Sequence, residues 1–185
     1  MAVGSRQLAE EKGNKSSIQF FYQNISFSLK KKSEIKKLIL ALIRKEKRKA
    51  GDISFIFCND QFLLALNKKF LKHDTLTDVI TFDYTSPPGP LSLKRRGGSE
   101  PVAIRGEIFI SISRVKENAK TFGVLFENEL RRVMIHGVLH LCGYKDKTAA
   151  QKKEMRKRED YYLEVGVIAR ESSTEAISQK KQIIL

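Results

Sequence analysis

The sequence is poor in the cysteines that stabilise secreted proteins and in the apolar runs that cross membranes. Its 185 residues include two cysteines, Cys58 and Cys142, and neither lies in a CxxC pair. Two thiols are too few for a disulfide framework, so we expect both to be reduced. No apolar run approaches the ~20 residues of a membrane span, and residues 1–17 lack the apolar segment of a signal peptide. These absences predict a cytoplasmic protein.

Acidic residues are also scarce relative to basic ones. The chain has 21 Asp and Glu against 35 Lys and Arg, which gives a formal net charge of +14. An excess of this size is typical of proteins that bind polyanions, nucleic acid first and anionic membranes second. Because no lipidation motif or amphipathic terminal anchor favours a membrane, we expect a nucleic-acid partner and no membrane contact.

Proline is confined to one stretch of the chain. Residues 85–103 hold all four prolines together with a cluster of lysine and arginine. Because proline cannot donate to a sheet ladder, this stretch is predicted to be an exposed, flexible loop. The polar residues 1–17 are predicted to be a disordered extension and residues 167–185 a C-terminal tail. Residues 18–166 are left as a single domain.

Apolar periodicity divides this domain into four strands and five helices. Short aromatic and β-branched runs predict strands at residues 18–27, 52–58, 77–84 and 104–111. Apolar residues at helical spacing predict helices over residues 30–49, 60–70, 114–122, 128–141 and 148–163. The order β α β α β β α α α favours an α+β (mixed α/β) fold, a small four-stranded mixed sheet packed with about five helices.

The most informative stretch is HGVLHLCGYKD, residues 136–146. His136 and His140 are four residues apart, so on a helix both imidazoles can reach one point in space. Gly143 can adopt the left-handed conformation that ends a helix, and the resulting turn would bring Asp146 back as a third ligand. Three protein ligands leave one coordination position open, as in catalytic zinc sites. The pattern predicts a metal site on a central helix and the following turn.

Two other interpretations of this stretch stay open. His136 and His140 would also fit a buried helix as hydrogen-bonded core residues. The spacing further matches the zinc-binding helix of metzincin proteases, HExxHxxGxxH, with Asp146 at the position of the third histidine. Gly137 replaces the glutamate that acts as general base in those enzymes, which argues against peptide hydrolysis.

The same stretch resembles the hallmark HGxLHLxGYDH of the YbeY family of bacterial endoribonucleases. The resemblance covers residues 18–164 and includes further segments: Asn67-Lys68-Lys69-Phe70, Asp74–Phe82, Gly106-Glu107-Ile108, and Met155 with Glu159. Membership would imply a small mixed sheet surrounded by helices. It would also imply single-strand-specific, metal-dependent cleavage of RNA in 16S rRNA 3′-end maturation and ribosome quality control.

The resemblance also implies a cofactor, partners and metal ligands. These are one Zn²⁺ per chain with nickel as an alternative ion, RNA and the small ribosomal subunit as partners, and a monomeric protein. His136 and His140 match two of the family's three metal-binding histidines, and the third falls on Asp146. The family's active-site arginine falls on Leu71, so its charge is missing at that position.

Five further residues near these motifs are candidates for roles in the site. Lys72, His73 and Arg105 would supply a cation that holds a scissile phosphate, although each also fits an ordinary surface residue. Asp78 and Glu107 would orient a ligating histidine through a hydrogen bond, or simply accept backbone bonds at strand ends. The alternative function is a non-catalytic RNA-binding ribosome assembly factor with a structural metal.

Overall fold

The computed structural model describes residues 17–85 and 101–182, and its regular elements follow the predicted order. The strands are β1 (Ile18–Gln23), β2 (Lys49–Cys58), β3 (Val79–Asp83) and β4 (Ala103–Ser111). The helices are α1 (Lys32–Lys45), α2 (Asp60–Leu66), α3 (Ile112–Phe122), α4 (Phe126–Leu141) and α5 (Ala149–Gln182). Residues 1–16 of the predicted extension and residues 183–185 lie outside the described residues, and so do residues 86–100 of the predicted loop, with three of its four prolines and its basic cluster.

The strands form one mixed sheet in the order β1-β2-β4-β3. β1, β2 and β4 are parallel, and β3 runs antiparallel to β4 at the edge of the sheet. This arrangement confirms the predicted α+β class with a four-stranded mixed sheet and five helices. No helix in residues 17–85 and 101–182 is long and apolar enough to cross a bilayer.

Side-chain alternation on β4 creates the surface on which α4 lies. Ile108 and Ile110 are fully buried, whereas the alternating residues Glu107 and Phe109 face the other side of the sheet. A Cβ atom on Gly137 of α4 would lie 2.6 Å from Cγ2 of Ile108. Glycine at this position therefore permits α4 to approach the middle of the sheet closely.

The first strand is shorter than predicted. It ends at Gln23 because Asn24 adopts a φ of 55°, which turns the chain away from the sheet. The apolar residues that follow are used for packing instead of strand pairing. The ring of Phe27 contacts that of Phe57 edge-on, with their centroids 5.3 Å apart.

All five helices differ from their predicted bounds by two residues or more, and α2 and α5 show why. Asn59 caps α2 as expected, because its side-chain oxygen accepts a hydrogen bond from the backbone N–H of Phe62 at 2.9 Å. The helix then continues as a π-helical segment, Asn67–Leu71, which ends where Lys72 adopts a left-handed φ of 57°. α5 extends to Gln182, beyond its predicted end at residue 163.

Candidate metal centre and the adjoining cleft

Three side chains at the C-terminal end of α4 bring their donor atoms together. The Nε2 atoms of His136 and His140 lie 2.9 Å apart. Oδ2 of Asp146 lies 3.7 Å from Nε2 of His136 and 3.8 Å from Nε2 of His140. Atoms bound to one zinc ion at ~2.1 Å are at most about 4.2 Å apart, so all three distances fit one ion. The donor set of two imidazoles and a carboxylate also suits zinc.

The turn after α4 determines where Asp146 lies. Gly143 adopts a φ of 103°, and its N–H donates to the carbonyl of His140 at 2.9 Å. The N–H of Tyr144 donates to the carbonyl of Leu139 at 3.1 Å, which completes a hydrogen-bonded helix end. A residue with a side chain strongly disfavours this φ, so Gly143 allows the chain to reverse towards the histidines.

Each histidine is oriented by a hydrogen bond at Nδ1, the ring nitrogen that faces away from the cluster of donor atoms. Nδ1 of His140 lies 2.9 Å from the carbonyl oxygen of Tyr144, which can only accept, so Nδ1 carries the proton. Nδ1 of His136 lies 2.7 Å from Oε1 of Glu159, a residue that is 4% exposed. Both Nε2 atoms therefore remain available to bind a metal.

The electrostatics of the site favour the forms that bind a metal. Burial and the neighbouring His136 lower the pKa of His140, which keeps its ring neutral and able to ligate. Burial alone would raise the pKa of Glu159. The hydrogen bond with His136 and the positive charge of Arg132 outweigh that effect and hold the pKa below its usual value. Glu159 is therefore a carboxylate that accepts from His136.

A buried ion-pair network supports Glu159 from behind. Nη1 of Arg132 lies 3.3 Å from Oε2 of Glu159. The same guanidinium binds Glu129 through both carboxylate oxygens, at 2.9 and 2.5 Å. Glu129 is 1% exposed, so this pair is held in a fixed geometry inside the protein.

A second network holds the turn that carries Asp146. The hydroxyl of Tyr144 donates to Oε2 of Glu46 at 2.8 Å. The other oxygen of Glu46 accepts from Tyr162 at 2.5 Å and from Arg158 at 3.2 Å. The end of α1 is thereby joined to α5 and to the residue whose carbonyl orients His140.

A cleft of about 650 Å³ opens from the three donor atoms and runs between β3 and α5. One wall contains Leu71 and residues of β3 and the segment before it. The other wall is formed by α4, the turn and α5. Thr81 lines this cleft, and its Oγ1 is, among the described residues, the one buried side-chain polar atom without a hydrogen-bond partner.

The cations predicted from the sequence do not line this cleft. Lys72 and His73 are exposed residues just past Leu71, which does line it. Arg105 lies on β4 next to Gly106, and a Cβ on Gly106 would lie 2.6 Å from a side-chain carbon of Leu141 in α4. Because successive strand residues face opposite sides, Arg105 lies on the sheet face away from α4.

The predicted orienting carboxylates have other partners. Glu107 lies on the same sheet face as Arg105, away from α4, and accepts a hydrogen bond from the hydroxyl of Tyr84 at 3.1 Å. Asp78 does line the cleft, but its Oδ2 accepts from the amide of Asn118 at 3.1 Å. In the structure neither residue contacts a histidine, and the Nδ1 atoms of the histidines are held by Glu159 and a backbone carbonyl.

The family resemblance included Glu159, but sequence reasoning gave neither Glu159 nor Arg132 a role in the site. Glu159 lies four residues after the buried Met155 and three before the buried Tyr162. A carboxylate on such an apolar helical stripe is unusual because burying an unpaired charge is costly. That spacing was the available indication of a buried partner.

The protease interpretation fails on steric grounds as well as on sequence. Gly137 is buried against Ile108, so there is no room for the glutamate that metzincins carry at this position. The interpretation of the histidines as ordinary core residues also fits poorly, because both rings are partly exposed and line the cleft.

Comparison with known proteins identifies relatives along nearly the whole described domain. The family profile described as Endoribonuclease YbeY matches residues 17–165. A Flavobacterium psychrophilum protein named Endoribonuclease YbeY is 46% identical over 148 residues, covering 80% of this chain and 95% of that protein. Its namesake in Flavobacterium johnsoniae is 45% identical over 143 residues, covering 77% and 92%.

A solved structure has the same fold. The solution structure of a Thermotoga maritima protein superposes with a TM-score of 0.54 at 26% identity, covering 85% of this chain and 93% of that one. The profile match extends over the sheet, α4 and the first part of α5. The chain therefore belongs to the YbeY family.

Proposed function

We propose that this protein is a single-strand-specific, metal-dependent endoribonuclease of the cytoplasm. It would act as a monomer on the small ribosomal subunit, in 16S rRNA 3′-end maturation and ribosome quality control. The observation that carries the proposal is the cluster of His136, His140 and Asp146 at a cleft, in a chain whose relatives are named endoribonucleases. The proposed ion is Zn²⁺, which nickel would replace.

One set of residues would bind the metal, and the cleft beside it would bind the RNA. His136, His140 and Asp146 would be the ligands, while Glu159 and the carbonyl of Tyr144 keep the imidazoles in place. When bound, the metal supplies Lewis-acid stabilisation of the charge that develops on the scissile phosphate.

The cleft itself would position the RNA strand at this centre. Precise placement of a bound group contributes to rate because it replaces a random encounter by an oriented one.

The alternative is a non-catalytic assembly factor with a structural metal. It is favoured by Leu71, which places an apolar side chain in the cleft where the family's arginine is expected. Against it stands the partial exposure of all three ligand residues, because structural zinc sites are closed by a fourth protein ligand.

Cleavage of a labelled single-stranded RNA by purified protein tests the proposal. We expect cleavage by zinc-loaded protein, loss of cleavage after chelation, recovery on adding zinc, and little cleavage of the same sequence in a duplex. His136→Ala and His140→Ala should be inactive, whereas His73→Ala, which alters the remaining histidine outside the cleft, should stay active. RNA binding without zinc-dependent cleavage in all samples would support the assembly factor instead.

A further inference from the structure

We infer that the RNA strand lies in the cleft with its phosphates against α5, held by Lys152 and Arg156, and with its bases towards Leu71 and β3. This inference deepens the proposed function and rests on it. It assigns to α5 the phosphate-binding charge that Lys72, His73 and Arg105 were predicted to supply.

The two walls of the cleft carry opposite charge. Asp78 and Asp83 line the β3 side, which we call the acidic wall. Lys147, Lys152 and Arg156 line the α5 side, which we call the basic wall. A polyanionic backbone is repelled by the first wall and attracted by the second, so the charges alone orient the strand.

The charges of Lys152 and Arg156 are available to a ligand. Both residues are exposed and lie four apart on α5, so their side chains are neighbours on one helix face. Among the described residues, neither side chain takes part in a salt bridge or hydrogen bond. By contrast, the guanidinium of Arg132, which also lines the cleft, is bound to Glu129 and Glu159.

The same face of α5 reaches the candidate metal centre. Arg156 precedes Glu159 by three residues, less than one helical turn, and Glu159 contacts His136 directly. The phosphates next to the scissile bond would therefore contact Arg156 first and then Lys152 along the helix.

The opposite wall suits the uncharged parts of a nucleotide. Leu71 lines the cleft and leaves 46% of its surface exposed. Apolar surface of this kind can pack against a base without regard to sequence, because each base has a π face.

The chain offers a matched control for a test of this inference. Lys153 and Lys157 also lie four apart on α5 and are exposed, but they do not line the cleft. Lys152→Gln/Arg156→Gln and Lys153→Gln/Lys157→Gln thus remove two charges each from the same helix, and glutamine keeps the helix propensity. Equal thermal unfolding of the two variants would show that both remain folded.

We expect the cleft pair and the control pair to differ in binding and in kinetics. With metal-free protein and a single-stranded oligonucleotide, the cleft variant should lower the slope of log affinity against log salt by ~1.4, or 0.7 for each lost phosphate contact. The control should retain the wild-type slope. In cleavage assays, the cleft variant should raise KM by about tenfold, the change that ~1.4 kcal/mol of lost binding produces, with a smaller effect on kcat.

Equal slopes and equal KM values for the two variants would overturn the inference. A slope that changes more in the control pair would move the phosphate contacts to the outer face of α5 and would also overturn it. Failure of the proposed function looks different: the wild-type protein would then not cleave single-stranded RNA, while the salt slopes of metal-free protein would still decide whether phosphates bind at Lys152 and Arg156.

Discussion

Glu159 provides a quantitative test of how the metal centre is held. Its carboxylate lies 2.7 Å from Nδ1 of His136, and the residue is 4% exposed, so Glu159 orients this proposed ligand through the ring nitrogen that would not bind the metal. Loss of such a supporting partner typically weakens metal affinity by ~10 to 100-fold, or ~1.4 to 2.8 kcal/mol. Glu159→Gln keeps an acceptor but removes the charge, so we expect about tenfold. Glu159→Ala removes both and should reach about 100-fold.

Glu129→Gln is the matched control for this prediction. Glu129 is as buried as Glu159 and binds the same arginine, Arg132, but it makes no contact with His136. We therefore expect its zinc affinity to stay near the wild-type value even if the metal-free protein loses stability. Zinc competition against a chromogenic chelator measures the affinities, and urea unfolding of the metal-free proteins measures stability. If all three variants bind zinc equally well, Glu159 does not position His136.

Three further predictions follow from the packing and electrostatics. Gly137→Ala should lower the free energy of unfolding by about 1 kcal/mol in urea titrations, because overpacking Ile108 costs ~2 and helix propensity returns ~1. Tyr144→Phe removes the hydrogen bond to Glu46 and should cost about 1 kcal/mol while zinc still binds, since the main-chain carbonyl remains. Because the folded-state pKa of Glu159 lies below its usual value of 4.5, its carboxylate stabilises the folded protein fully above that pH, and this stabilisation is lost as pH falls through the folded-state pKa. The difference in the free energy of unfolding between metal-free wild type and Glu159→Gln should therefore shrink in acid.

The order of the elements was accessible from the sequence because it depends on local patterns. Apolar alternation and helical spacing each act within about ten residues, and they identified four strands and five helices in the correct order. The end of β1 could not be predicted from the sequence. Phe27 is as apolar as a strand residue, and only the positive φ of Asn24 separates it from the strand. Tertiary packing decided that boundary.

The candidate site divides in the same way. His136, His140 and Asp146 come together through one helix and one glycine turn, which are local features that spacing reveals. Glu159 comes from α5, 23 residues after the histidine that it contacts, and no local pattern links them. The sequence also did not indicate that Arg105 lies on the sheet face away from α4, because a shift of one residue on a strand moves a side chain to the opposite face.

Asp146 is the residue at which this chain departs from the histidine motif of its family. Its role can be tested directly by counting the imidazole ligands of the bound zinc. X-ray absorption spectroscopy of zinc-loaded protein distinguishes imidazole, carboxylate and sulfur ligands. Histidine contributes characteristic ring scattering, and the chain has three histidines in total, of which His73 is outside the cleft. Asp146→His provides an internal standard, because imidazole is an equally competent zinc ligand and should raise the count by one.

We predict one zinc per wild-type chain with two imidazoles and no sulfur, and three imidazoles in Asp146→His. Asp146→Ala should retain both imidazoles but bind zinc far more weakly. A wild-type spectrum without two imidazoles, or an unchanged count in Asp146→His, would contradict the assignment of His136, His140 and Asp146 as the metal centre.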